Sequence, residues 1–136
     1  MSPRDEAHRW LFFAEEDSQM ADLAYKASLY AQACFHAQQC TEKSIKALIA
    51  FQGKLPPRSH RLIYLLSFLE ENPISDRRTD IGLLDLFYTP TRYPDAIPGS
   101  LPDGYPSPEI ASQALNIAQD VYQRIKDYIL SNDVKE

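Results

Sequence analysis

A chain of 136 residues with 44% hydrophobic and 24% charged residues has the balance of one ordinary globular domain, 1–136, large enough to bury a core. The net charge of −5 excludes a general nucleic-acid coat, which needs a basic surface, but leaves room for a local basic pocket. No apolar run approaches the ~18 residues of a membrane span, and MSPRDEAHRW has no signal-peptide pattern, so the expected location is cytoplasmic.

The predicted elements are all helices. Ser2-Pro3 reads as an N-cap followed by Pro at the first helical position, with Asp5 and Glu6 in the first turn. A first helix is predicted from about Pro3 to Ala27, its inner stripe being Ala7, Trp10, Ala14, Asp17, Ala21 and Ala24. Asp17 interrupts that stripe and needs a basic or amide partner from another helix. Ser28-Leu29 is a short break, which implies an antiparallel hairpin. The second helix, Tyr30 to Gly53, contains no Pro and no Gly before its stop. Tyr30, Cys34, Ala37, Thr41, Ser44, Leu48 and Phe51 give it a small-residue packing stripe. Along another side run Gln38, Gln39, Glu42, Lys43 and Lys46, with Glu42 and Lys46 one turn apart in the favourable order.

The double proline of KLPPRSHRL ends that helix. Ser59 is the candidate N-cap of a third, mostly apolar helix from His60 to Glu71, stopped by Asn72-Pro73. A fourth helix is predicted over Arg78–Tyr88. Pro90 to Pro108 then holds six of the ten prolines and two of the four glycines, the composition of a long extended loop. Ser107-Pro108-Glu109 restarts a helix that runs to about Leu130. The expected fold is all-α: an antiparallel up-and-down bundle of four main helices plus one shorter helix, with the Pro-rich loop before the last.

The chemistry-bearing residues are few. Cys34 and Cys40 point about 240° apart around one helix, so they cannot pair with each other and read as buried reduced thiols. His36 and Cys40 lie one turn apart and could share a metal, but nothing adjacent completes a ligand set. No glycine-rich phosphate loop is present. No metal, cofactor or catalytic residue is assigned. What remains is a polar constellation: Gln39, Glu42, Lys43 and Lys46 on the second helix, Arg58 and His60 after it, and Arg92 and Tyr93 in the Pro-rich loop. Arg and Lys suit phosphate oxygens, and a tyrosine can stack on a base. The bland alternatives are a solvated Glu42–Lys46 pair, an anchored loop, or a subunit interface.

WLFFAEEDSQMA at 10–21, ACFHAQQCTEKSIKALI at 33–49, PPRSHRLIYLL at 56–66, YTPTRYPDA at 88–96 and the closing helix from Pro108 together resemble the HEPN family (higher eukaryotes and prokaryotes nucleotide-binding domain). The resemblance covers nearly the whole chain. It implies a short helical bundle, frequent dimerisation, and pairing with a small nucleotidyltransferase in toxin–antitoxin-like systems. Many members are metal-independent ribonucleases that use an Arg followed four to six residues later by a His.

This chain departs from that pair. Arg4 and His8 lie on the first helix with three residues between them, Arg58 and His60 have one, and Arg92 opens RYPD with no His after it. The expected function is therefore a dimeric accessory module, working with a nucleotidyltransferase and binding nucleotide or RNA. The alternative is a ribonuclease using His60 or His36 with Arg92. In a third reading, Tyr88 or Tyr93 is modified by the partner transferase.

Overall fold

A computed structural model describes residues 2–87 and 105–133. Among these residues every regular element is helical: α1 Pro3–Lys26, α2 Tyr30–Phe51, α3 Leu62–Leu66, α4 Arg78–Leu84 and α5 Pro108–Ser131. Single 3-10 turns, Ser75–Arg77 and Asp85–Phe87, flank α4. The result is the expected helical bundle, with α1, α2 and α5 as its long members.

Both Ser-Pro starts cap their helices. The Ser2 hydroxyl accepts from the Asp5 amide and the Ser107 hydroxyl from the Ile110 amide, each at 3.1 Å. The α1 and α2 ends share a further device. The Leu29 and Ser28 amides return to the Ala24 and Tyr25 carbonyls, and the Lys54 and Gly53 amides return to those of Ile49 and Ala50. That double return needs one left-handed residue just past the helix. Gly53 provides it at φ +85°, whereas at the hairpin Ser28 is forced to φ +61°.

α2 is the central helix and packs against α1, α5, α3 and α4. Small side chains line the two helices: Ala7, Ala14 and Ala21 of α1, and Ala33, Ala37, Cys40 and Ala47 of α2, are all fully buried. Small residues let the two backbones approach closely. Ile45, Leu48, Ile49, Leu62, Leu65, Ile81, Leu84, Val121, Ile125 and Ile129 fill the rest of the core.

The third helix departs from expectation: it is five residues long and does not reach Glu71. Its start is not capped by Ser59, whose hydroxyl instead accepts from the Arg61 amide. The cap comes from Asp85, whose carboxylate oxygens accept from the Leu62 and Ile63 amides. Past Leu66 the Phe68 and Leu69 amides bond to carbonyls three residues back. The end of α2 then pins the segment. Lys54 Nζ donates to the Phe68 carbonyl, and the Gln52 side chain bonds the Glu70 amide and the Glu71 carbonyl. Those three bonds replace the bonds that a longer helix would have made.

Candidate functional site

The polar side of α2 splits into two clusters, each built around one carboxylate. The first is centred on Asp17 of α1. Its side chain accepts from Lys43 Nζ at 2.6 Å through one oxygen and contacts His36 Nδ1 at 3.0 Å through the other. Asp17 is 8% exposed, so burial disfavours its charge; the bonds from His36 and Lys43 and the Lys43 charge outweigh that and hold its pKa below the ordinary carboxylate value. This is the interhelical tie that the Asp17 position demanded. Its consequence is that Lys43 is committed to α1 and does not share a cluster with Lys46.

The second cluster is centred on Glu42. One oxygen accepts from Lys46 Nζ at 3.1 Å, and the other lies 3.0 Å from His60 Nδ1. The Gln39 amide donates to the Gln38 side-chain oxygen at 2.7 Å and reaches Glu42 at 3.5 Å. Gln38, fully buried, donates to the His60 carbonyl at 2.9 Å and so ties the segment after α2 back onto the helix. Glu42 and Lys46 are only 3% and 6% exposed, so they are not a solvated surface pair. Two neighbours bury them. The post-α2 segment lies over them through His60, and Trp10 of α1 lies beside them with Lys46 Nζ 5.4 Å from its ring centroid.

Of the eight residues singled out in the sequence, Gln39, Glu42, Lys46 and His60 come together, and Lys43 lies one cluster away with Asp17. Arg58 is exposed, two residues before His60. Arg92 and Tyr93, with Tyr88, lie outside the described residues. Trp10, Gln38 and the Asp17–His36 contact complete the arrangement. A sequence signal existed for Trp10 and Asp17, which share the inner stripe of α1, and for Gln38, which lies on the polar side of α2, but not for the bond from Gln38 to the His60 carbonyl, a fold-level contact.

The geometry has chemical meaning. In each cluster a carboxylate holds a histidine by Nδ1, which orients the ring and turns its Nε2 edge away from that carboxylate. The thiols take no part: burial pushes both Cys34 and Cys40 up to about 12. Among the described residues no three His, Cys, Asp or Glu side chains are grouped to hold a metal ion. The polar side of α2 therefore offers two histidines oriented by carboxylates and a buried ion pair, with exposed Arg58 two residues before His60 in the chain.

The comparisons agree with this fold. The HEPN domain family model matches residues 7–128. The chain is 29% identical over 126 residues to "Putative toxin MJ1304" of Methanocaldococcus jannaschii, covering 85% of this chain and 83% of that protein. The crystal structure of TT1696 from Thermus thermophilus superposes with a TM-score of 0.78 at 31% identity, covering 90% of this chain and 97% of that one. ST0689, described as an archaeal HEPN homologue, superposes with a TM-score of 0.73 at 35% identity, covering 91% and 98%. By its helical order and by these matches, the chain belongs to the HEPN domain family.

Proposed function

We propose that this HEPN chain is a toxin-like, dimeric accessory module that works beside a small nucleotidyltransferase and binds a nucleotide or RNA through phosphate. The observation that carries this reading is the Glu42–Lys46 pair buried beneath half-exposed His60, with exposed Arg58 two residues away. An ion pair at that depth is a weak source of stability, because desolvation offsets most of its attraction. A binding strip gives a reason to keep it, since the pair positions His60, two residues after exposed Arg58 in the chain. The toxin-like part rests on the M. jannaschii relative and on family membership.

The test is a melting-temperature series with ATP, GTP and a short single-stranded RNA, together with sedimentation at micromolar concentration. The reading expects a dimer and an upward shift with at least one of the three. A monomer with no shift would sink it.

One observation favours a second reading, a metal-independent ribonuclease. His36 and His60 are both held through Nδ1 by a carboxylate, the arrangement that orients an imidazole for proton transfer. It expects RNA cleavage in EDTA that is lost in His60→Ala or His36→Ala. Intact single-stranded RNA and tRNA after prolonged incubation would end it.

A further inference from the structure

The charge of the chain is unevenly placed. In a chain of net charge −5, the stretch from Lys43 to Leu69 carries five Lys and Arg side chains and no Asp or Glu. Three of the five are paired: Lys43 with Asp17, Lys46 with Glu42 and Lys54 with Glu70. Arg58 and Arg61 are exposed, and among the described residues no carboxylate pairs with either.

Arg61 lines an open cleft of about 480 Å³, together with Ser59, Ile63, Tyr64 and Asp85. That volume falls within the range of about 300–1,000 Å³ typical of small-ligand sites. Its walls differ in kind. Tyr64 is 50% exposed, and Phe68 braces its ring in a T-shaped contact with centroids 5.1 Å apart. A braced, half-exposed ring is a platform on which a planar base can stack. Arg61 supplies a guanidinium for phosphate oxygens.

Asp85 supplies acceptors and no donor. Its two oxygens each take one backbone amide, from Leu62 and Ile63. A carboxylate has about four lone-pair sites, so about two remain for a ligand. The start of α3 is satisfied by the same bonds and offers no donor of its own.

An acceptor-only group selects among bases. Guanine presents two adjacent donors, N1–H and its exocyclic amino group, to the two oxygens of a carboxylate. Adenine and cytosine set a ring-nitrogen acceptor beside their amino group. Uracil has a single N–H between two carbonyls. Each of these three would hold an acceptor against Asp85 and leave a lone pair unmatched.

We propose that this cleft binds a guanosine phosphate unit, free or within single-stranded RNA: Tyr64 stacks on the guanine, Asp85 accepts from its donor edge and Arg61 holds the phosphate. This inference rests on the phosphate-binding reading above and adds the base that accompanies the phosphate.

Isothermal titration of the wild type with GMP, AMP, CMP and UMP tests it, alongside anisotropy of two labelled short RNAs, one of adenosine alone and one carrying a single guanosine. A bidentate base contact predicts a preference for guanosine of about 5- to 150-fold. A preference among the free nucleotides assigns the site to them, and one seen in the RNA pair assigns it to an RNA residue. Tyr64→Ala should weaken GMP binding by about 5- to 150-fold, while Tyr64→Phe, which keeps the ring, should bind like the wild type. Arg61→Ala should weaken all four nucleotides alike. Asp85→Asn, with its fold checked by far-UV circular dichroism, should bind without the preference. Arg61 and Tyr64 are exposed, so their variants remain decisive if Asp85→Asn does not fold. Equal binding of the four nucleotides and of the two RNAs would overturn the inference and leave the phosphate reading standing, as would unchanged binding in Tyr64→Ala. No binding of any of these would also overturn it, and no binding of ATP either would overturn the phosphate reading with it.

Discussion

Replacing Glu42 with Ala removes the acceptor of two side chains at once, and the two losses differ in size. His60 is half-exposed, so water takes the place of its partner at little cost. Lys46 is 7% exposed at the side chain and keeps its charge beside the Trp10 ring with no counter-ion. Stranding one member of a buried pair costs about 3–5 kcal/mol. For a domain of this size that is a large fraction of a total stability of about 5–15 kcal/mol, and it lowers the melting temperature by roughly 10–20 °C. The double variant Glu42→Met with Lys46→Leu removes both charges and keeps most of the volume. It should fall within about 1 kcal/mol of the wild type or exceed it, because the desolvation cost disappears with the attraction. The assay is urea unfolding followed by far-UV circular dichroism. Fluorescence of Trp10, the single tryptophan, reports the Lys46 environment in parallel. If Glu42→Ala costs under 1 kcal/mol, or the double variant is less stable than Glu42→Ala, the pair is not buried as described and the reasoning fails.

Other consequences follow from the same contacts. Asp17→Asn should cost about 1–3 kcal/mol, less than Glu42→Ala because Lys43 and His36 are about a quarter exposed and regain water. The folded pKa of Asp17 is depressed, so its contribution is complete above the ordinary carboxylate pKa near 4 and is lost as pH falls through the lower folded value. The wild type's stability advantage over Asp17→Asn in urea titrations should therefore shrink only in that acid window. Asp85→Ala should cost about 1–2 kcal/mol by removing the acceptor for the Leu62 and Ile63 amides, read as a shifted urea midpoint with an unchanged slope. The two left-handed helix ends should respond in opposite senses in thermal melts. Ser28→Gly should add up to ~1 kcal/mol, while Gly53→Ala should cost ~1 kcal/mol through backbone strain alone, since nothing lies within 4 Å of an added Cβ. Cys34 and Cys40 should resist thiol reagents at neutral pH in the native protein and react fully in denaturant.

Local chemistry made much of this fold legible. Ser2-Pro3 and Ser107-Pro108 mark helix starts because a hydroxyl acceptor and a residue without an amide donor suit that place and few others. Asp17 announced an interhelical tie because a carboxylate on an alanine stripe cannot stay unpaired. The third helix was not legible. Its cap, Asp85, lies more than twenty residues downstream, and Gln52 and Lys54 redirect its far end; neither contact leaves a local trace. The candidate site was legible in part. Helical spacing gathers Gln39, Glu42 and Lys46 on one side and turns Lys43 toward Asp17 once α1 is known to pack there. Periodicity assigns a face but not a depth. Glu42 and Lys46 are buried by Trp10 and by the returning segment at His60, and that folding-over is a tertiary event.

The central claim is that the α2 strip binds phosphate-bearing ligands. It is tested most directly by fluorescence anisotropy of a labelled single-stranded RNA titrated with the wild type and with Arg58→Ala at two salt concentrations. Arg58 is exposed, so its loss should leave the fold intact. The account predicts binding that weakens as salt rises, and a variant that binds several-fold more weakly with a shallower salt dependence. It would be contradicted by wild-type protein that binds neither this RNA nor ATP in the same titration, or by equal binding of wild type and variant at both salt concentrations.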